Sequence, residues 1–156
     1  MLCIGLDPHV SQLPEHTADA AAAFCINIIE KTHLYAAAYK PNSAFFEAFG
    51  AKGFDALIKV MKVLHAKIHV YIYNVQSVVF ELQLTFPTLR SVLNSLLQAI
   101  PSDIPVILDN KRGDIDTTAQ AYATSSFEIF IASAVTLSPY MGWDSVQPFV
   151  TGCNSF

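Results

Sequence analysis

The sequence predicts an α/β fold in which a parallel β-sheet carries helices on both faces. Short apolar runs that do not alternate with polar residues recur at 2–6, 34–39, 104–108 and 134–137, as is typical of strands buried on both faces. Segments with apolar residues at helical spacing separate these runs. Charged residues follow three of the runs, so we expect their side chains to share one edge of the sheet.

Each predicted element has local support in the sequence. Asp7-Pro8 closes the first apolar run, Thr17 can cap the first helix, and Pro41 is expected to end the second strand. The first part of the chain predicts a strand over Leu2–Leu6, a helix from Thr17 to Thr32, a strand over Leu34–Tyr39, and helices over Ser43–Phe49 and Phe54–Leu64. The second part predicts a helix over Thr88–Ile100, a strand over Ile104–Leu108, a helix over Ile115–Phe127, a strand over Ala134–Leu137 and a helical piece over Trp143–Phe149.

Composition indicates a single, heavily buried domain and excludes several functional classes. Hydrophobic residues make up 53% of the 156 residues and charged residues only 14%, against about 25% charged in ordinary soluble domains. A net charge of -4 gives no electrostatic footprint for nucleic acid or an anionic membrane. The three cysteines are widely spaced, which favours a reducing cytoplasm over a disulfide framework. We expect neither a signal peptide nor a membrane span, because the first residues have no basic region and no apolar stretch is long enough to cross a bilayer.

The run Asp109–Asp114, with the sequence Asp-Asn-Lys-Arg-Gly-Asp, is the strongest candidate for chemistry. Side chains alternate along a strand, so Asp109 and Lys111 are expected on the same side where the third apolar run ends. Asp114 would follow on the turn into a helix. Such charges are costly to bury without partners. The alternative interpretation of this run alone is a solvated charged loop.

Four blocks in order extend this argument: Leu2–His9, Tyr39–Glu47, Asp109–Tyr122 and Thr136–Gly142. Together they resemble the orotidine 5'-phosphate decarboxylase family, in the form that carries a Lys-Arg-Gly-Asp-Ile signature. The resemblance covers roughly 2–60 and 97–150. It implies a (β/α)8 TIM barrel, of which residues 1–156 are one partial domain with about the first half of the strands. An apolar segment at about 62–90 is unmatched and is interpreted as an insert.

The resemblance implies decarboxylation of orotidine 5'-phosphate to UMP, in de novo pyrimidine synthesis, without a cofactor. Lys111 matches the proton donor, and Asp109 would orient it. Lys40 would hold a ribose hydroxyl and complete an alternating array with Asp109, Lys111 and Asp114. Asp7 matches a ribose-binding carboxylate, although an Asx turn before a proline also explains it.

The resemblance also implies partners. The residues matching Asp114 and Thr118 reach into the neighbouring subunit's site, which implies a homodimer. The protein would act with, or be fused to, orotate phosphoribosyltransferase. No metal is implied: His65 and His69 lie four apart without a further ligand nearby, so we interpret them as an incidental pair. Arg112 is expected to face a structural partner.

Three functional alternatives remain open at the level of sequence. Residues matching the family's later strands, including its phosphate-binding loop and arginine, are missing from the 156 residues, so the chain is expected to be an incomplete or misassembled decarboxylase. It would then be a weakened enzyme or an inactive remnant that dimerises. A related magnesium-dependent sugar-phosphate decarboxylase shares the Asp-x-Lys-x-x-Asp run, but it needs additional carboxylates at strand ends.

Overall fold

The computed structural model describes residues 2–66 and 104–151. In these two segments the strands are β1 (Leu2–Leu6), β2 (Ala36–Pro41), β3 (Ile107–Arg112) and β4 (Ala134–Leu137). The helices are α1 (Ala18–Thr32), α2 (Ser43–Glu47), α3 (residues 51–66), α4 (Asp116–Thr124) and α5 (Trp143–Thr151), with a π-helical turn at Ser125–Ile129 and 3-10 turns at Val10–Gln12 and Pro139–Met141.

The four strands run parallel in the order in which they occur along the described chain. β1 pairs with β2, and β3 pairs with β4. Isolated parallel bridges join Tyr39 to Val106 and Asn42 to Asp109, which places β3 beside β2. The parallel sheet predicted from the apolar runs is therefore confirmed, and all four strands end at the same edge.

The main core lies between this sheet and helices α1, α2 and α3. The sheet contributes Leu6, Tyr39 and Leu108, each no more than 1% exposed. Helices α1 and α3 present apolar residues at helical spacing, among them Ala21, Cys25 and Ile29 from α1 and Leu57, Val60 and Leu64 from α3. A smaller cluster of Ala119, Ala123 and Phe149 holds α4 against α5. These contacts fix the helices behind the strands and leave the carboxyl edge of the sheet to polar residues.

The boundaries of β2 and β3 differ from the predicted ones. Leu34 and Tyr35 are 63% and 69% exposed and lie outside β2, which starts at Ala36. Pro41 is the last residue of β2, as predicted, and the N–H of Asn42 just beyond it donates a hydrogen bond to the carbonyl of Leu6 at 3.3 Å. Strand β3 starts later than predicted and continues through the charged residues to Arg112, which pairs with Leu137 of β4.

The helices of the described segments largely confirm the predictions. The side chain of Thr17 accepts a hydrogen bond from the backbone N–H of Ala20 at 3.1 Å, so it caps α1 as expected. The helix predicted over Ile115–Phe127 is observed as α4 followed by the π-helical turn. The predicted Thr88–Ile100 helix, His69 and nearly all of the 62–90 insert lie outside the described residues.

Candidate active site

Three charged side chains, those of Lys40, Asp109 and Lys111, lie together at the carboxyl edge of the sheet and are called the charge group below. Asp109, on β3, accepts a hydrogen bond on Oδ2 from Nζ of Lys40, which lies at the end of β2. Its other oxygen, Oδ1, lies 2.6 Å from Nζ of Lys111. The Asp109 side chain is only 7% exposed, whereas that of Lys111 is 62% exposed. One nearly buried carboxylate thus holds two ammonium groups, one of which faces the open rim.

Thr136, on β4, completes the coordination of this carboxylate. Its hydroxyl donates to Oδ1 of Asp109 at 2.8 Å. The same hydroxyl oxygen accepts a hydrogen bond from the backbone N–H of Lys111 at 3.0 Å. Asp109 therefore receives three hydrogen bonds, two of them from ammonium groups, which makes its burial energetically acceptable.

These contacts determine the protonation of the group. Burial by itself would raise the pKa of Asp109, but hydrogen bonds from Lys111, Lys40 and Thr136 outweigh it and lower the pKa from 3.8 to about 2. The hydrogen bond to Asp109 raises the pKa of Lys40, against the opposing effect of its partial burial. At neutral pH the Asp109 carboxylate and the Lys40 ammonium are therefore both charged.

The backbone at Lys111 adopts a left-handed conformation, with φ of 45°. Residues other than glycine rarely occupy this region, and such conformations are found where the surroundings enforce them. The pairing of β3 with β4 also shifts register between Leu108 and Arg112. The sheet is thus irregular at the residues that carry the charges, as is common next to active sites.

Asp7, which directly follows β1, is held by Asn42. The amide Nδ2 of Asn42 donates to Oδ1 of Asp7 at 3.1 Å, while its Oδ1 caps α2 by accepting from Ala44 N at 3.3 Å. A Cβ on Gly5 would lie 2.6 Å from Oδ2 of Asp7, so this carboxylate occupies space that a side chain at position 5 would take. Asp7 is therefore fixed at the same edge as the charge group.

The predicted array of four charged side chains is not observed within the chain. Among the described residues Asp114 pairs with neither lysine, and its Oδ1 accepts a hydrogen bond from the backbone N–H of Ile115 at 2.8 Å. It lies beyond the end of β3, where the chain turns toward α4, so alternation along the strand no longer directs it. Thr118 is exposed on α4. The structure brings Lys40, Asp109 and Lys111 together and leaves Asp114 and Thr118 apart from them.

Arg112 has the structural partner that the sequence predicts. Its Nη2 lies 2.7 Å from Oε1 of Glu47 on α2, and its guanidinium lies 4.7 Å from the ring centroid of Tyr122 on α4. These contacts clamp the end of β3 between two helices. The carboxylate of Glu47 therefore forms an ion pair with Arg112.

Sequence reasoning did not identify Thr136 and Asn42 as site residues. Both lie in the blocks that carry the family resemblance, and both occupy the carboxyl ends of strands or the residue beyond. Their position at the carboxyl end of a predicted strand was the one feature of the sequence that could have marked them as site residues. A threonine in an apolar run is also a good strand former, however, so its residue type did not distinguish it.

Within residues 2–66 and 104–151, no three His, Cys, Asp or Glu side chains are grouped so that they could hold a metal ion. No helix of these segments is long and apolar enough to cross a bilayer. A charged ammonium at an open rim, such as that of Lys111, can stabilise a nearby anion and donate a proton.

Comparison with known proteins identifies the family. The profile of the "Orotidine 5'-phosphate decarboxylase / HUMPS family" matches residues 1–156. An orotidine 5'-phosphate decarboxylase of Herpetosiphon aurantiacus is 43% identical over 152 residues, covering 96% of this chain and 43% of the relative.

Solved structures give the same result. The OMP decarboxylase of Leishmania donovani superposes with a TM-score of 0.65 at 44% identity, covering 96% of this chain and 43% of that one. The UMP synthase of Leishmania donovani gives a TM-score of 0.66 at 44% identity, covering 96% and 24%. The chain thus spans less than half the length of these relatives. It belongs to the orotidine 5'-phosphate decarboxylase / HUMPS family, and the four parallel strands of its described segments form about the first half of that family's (β/α)8 barrel.

Proposed function

We propose that this protein takes part in the decarboxylation of orotidine 5'-phosphate to UMP, without a cofactor and with Lys111 as the proton donor. The observation that carries the proposal is the position of Asp109, nearly buried and bonded to both Lys40 and Lys111 at the carboxyl edge of the sheet. In (β/α)8 barrels this edge carries the chemistry.

The chemistry requires an electrostatic stabiliser. When the bond between C6 and the carboxylate breaks, its electron pair stays in an in-plane orbital at C6, where no carbonyl can delocalise it. A fixed ammonium opposite C6 stabilises this charge and then transfers a proton from Nζ to C6, and solvent reprotonates the amine. Lys111 suits this role because its Nζ is aimed by Asp109 while its side chain remains 62% exposed.

Asp7 and Lys40 are proposed to hold the ribose. Both lie at strand ends beside Asp109, and each is fixed by a hydrogen bond from or to a neighbouring side chain. Hydroxyl groups of a ribose can donate to the Asp7 carboxylate and accept from the Lys40 ammonium. Contacts to this unreactive part of the substrate would help to place C6 against Lys111.

We further propose that the protein acts as a homodimer. Asp114 and Thr118 do not join the charge group of their own chain, and Ile115 between them is 48% exposed. This segment is therefore available to a second subunit, where Asp114 and Thr118 would contact the neighbouring substrate. Analytical ultracentrifugation checks this point, and a monomer at all concentrations would contradict it.

The proposed setting is pyrimidine synthesis in the cytoplasm, together with or fused to orotate phosphoribosyltransferase. The likeness to a UMP synthase of Leishmania donovani supports a link with this neighbouring step. The free thiols of Cys3 and Cys25 suit a reducing compartment.

Because the chain spans only 43% of its decarboxylase relatives, we expect these 156 residues alone to bind substrate weakly. Groups that grip the phosphate contribute to the rate as well as to affinity, because their binding energy positions the reacting carbon. A low turnover number that still depends on Lys111 is therefore the expected result.

The test is the loss of orotidine 5'-phosphate absorbance with purified protein. Lys111→Ala should reduce turnover at least a hundredfold, whereas Lys59→Ala, which removes an exposed lysine from α3, should not change it. Turnover unaffected by Lys111→Ala would contradict the assigned role. A folded dimer without turnover would instead identify the chain as an inactive remnant.

The same assay separates the magnesium-dependent alternative. That chemistry needs free carboxylates around the metal, but Glu47 is bonded to Arg112 and Asp109 to two lysines. We therefore expect a chelator to leave turnover unchanged. Activity that disappears with the chelator and returns with magnesium would favour the sugar-phosphate decarboxylase.

A further inference from the structure

We propose that Thr136 is a positioning residue that sets the geometry of the Asp109–Lys111 pair from the neighbouring strand. Its kinetic consequence rests on the proposed decarboxylation, whereas its structural consequence does not. Thr136 would act through the two charged residues and not on the substrate itself.

The hydroxyl of Thr136 is shared between the two residues that it would position. It donates to Oδ1 of Asp109 at 2.8 Å and accepts from the backbone N–H of Lys111 at 3.0 Å. The same Oδ1 receives Nζ of Lys111 at 2.6 Å. One hydroxyl thus fixes the carboxylate that aims the ammonium and also the backbone from which that ammonium extends.

The irregular pairing of the strands explains why a side chain is needed here. Leu108 pairs with Val135, but the next pair along the ladder joins Arg112 to Leu137. Four steps along β3 therefore correspond to two along β4, and the three residues from Asp109 to Lys111 face Thr136 without regular pairing. The N–H of Lys111 donates a hydrogen bond to the side-chain hydroxyl of Thr136.

The left-handed backbone of Lys111 makes this contact more important. With φ of 45°, Lys111 adopts a conformation that is unfavourable for a residue with a side chain. The hydrogen bond that its N–H donates to Thr136 helps to hold this conformation against the extended one. Without it, we expect the Lys111 backbone to relax and Nζ to move away from Oδ1.

The electrostatics of the group give a readout that does not depend on activity. Asp109 faces the ammonium groups of Lys40 and Lys111, and both Asp7 and Cys3 also act electrostatically on Lys40. The hydrogen bond from Thr136 contributes to the lowered pKa of Asp109. Removing the hydroxyl while keeping the side-chain volume should therefore raise the pKa of Asp109 by about one pH unit.

The decisive experiment follows the carboxyl carbon of Asp109 by NMR in protein labelled with 13C-aspartate, using Thr136→Val and Thr136→Ser. At pH 3 we expect about a tenth of Asp109 to be protonated in the wild type and in Thr136→Ser, and about half in Thr136→Val. Equal titration of all three proteins would overturn the proposal. If Thr136→Val does not fold, Thr136→Ala gives the same comparison.

Thr32→Val is the matched control. The hydroxyl of Thr32 also makes two hydrogen bonds, to the carbonyl of Ile28 at 2.7 Å and with the hydroxyl of Tyr39 at 2.8 Å, but it lies away from the charge group. This variant should lose stability without changing the titration of Asp109. A shift as large as that of Thr136→Val would show a general structural effect and overturn the proposal.

Kinetics add the second readout. For Thr136→Val we expect kcat to fall about tenfold with KM nearly unchanged, and Thr136→Ser to restore it. An increase in KM alone would contradict positioning of the proton donor. If the wild type does not decarboxylate the substrate, the proposed function fails, while the NMR titration still decides the role of Thr136.

Discussion

Lys111 follows Asp109 by two residues on the same strand, and its Nζ lies 2.6 Å from Oδ1 of Asp109. In a regular strand two such side chains would stand side by side on one face. In this protein the two side chains are in direct contact, and at the same residues the backbone of Lys111 is left-handed and the pairing of β3 with β4 shifts register. The local irregularity and the ion pair thus occur at the same residues.

The lowered pKa of Asp109 predicts a pH-dependent contribution to stability. Its pKa is about 2 in the folded protein, below the ordinary value of 3.8, so its stabilising effect is complete above about pH 5 and is lost as the pH falls toward 2. The contribution should be about 1 to 2 kcal/mol, since water screens the exposed Lys111. Urea unfolding of the wild type and Asp109→Asn between pH 3 and pH 7 measures it. A stability difference that does not depend on pH would contradict this prediction.

The Arg112–Glu47 ion pair predicts a modest effect on stability. Glu47→Gln removes the charge that Arg112 faces at 2.7 Å between α2 and β3, and it should lower the free energy of unfolding by about 1 kcal/mol. Glu30→Gln, at an exposed position on α1, is the control and should have almost no effect. Equal effects of the two substitutions would show that the ion pair does not hold the end of β3.

Two glycines near the start of α3 predict different costs for the same substitution. A Cβ on Gly53 would lie 1.7 Å from the carbonyl oxygen of Phe46, so Gly53→Ala should destabilise the protein by about 3 kcal/mol or more. Gly50 has φ of 63° and open space around it, so Gly50→Ala should cost only about 1 kcal/mol. Thermal unfolding of both variants checks the order, which the reverse ranking would contradict.

The buried thiol of Cys25 is expected to resist alkylation. Burial, with a smaller effect of the Asp7 charge, raises the pKa of Cys25 to about 12, so almost no thiolate forms at pH 8. Cys3 is exposed at the start of the sheet. Iodoacetamide at pH 8 followed by peptide mass spectrometry should label Cys3 in the folded protein and Cys25 only after unfolding. Similar rates at the two thiols would contradict the packing of α1 against the sheet.

The strands were predictable where apolar residues alone define them, but β1 and β4 are not buried on both faces as predicted: only Leu6 of β1 is buried, and β4 has no fully buried residue. The predicted bounds of β1 and β4 agree with the structure, because these runs end at residues that cannot continue them. The end of β3 was not predictable in this way. Its pairing continues through charged residues because Asp109 finds partners on two neighbouring strands, and a tertiary contact of this kind leaves no local pattern.

The site was predictable in part. The alternation of Asp109 and Lys111 places both at one edge, and the two are in contact as expected. Lys40 joins them because β2 lies beside β3, and strands that follow one another along a chain are often neighbours in the sheet. Asp114 lies on the turn beyond β3, as expected, and does not contact the lysines of its own chain; its role in a neighbouring subunit's site, which the resemblance implies, stays a prediction. Thr136 acts through a register shift that the residue types do not reveal.

The most direct test of the account is the exchange of the C6 proton of UMP in D2O, followed by NMR. This exchange uses the proposed proton donor and the same C6 anion without requiring the release of CO2. We expect slow deuterium incorporation with the wild-type protein and with Lys59→Ala, and none above background with Lys111→Ala. Incorporation at the wild-type rate by Lys111→Ala, or none with the folded wild-type protein, would contradict the role of Lys111 as the donor.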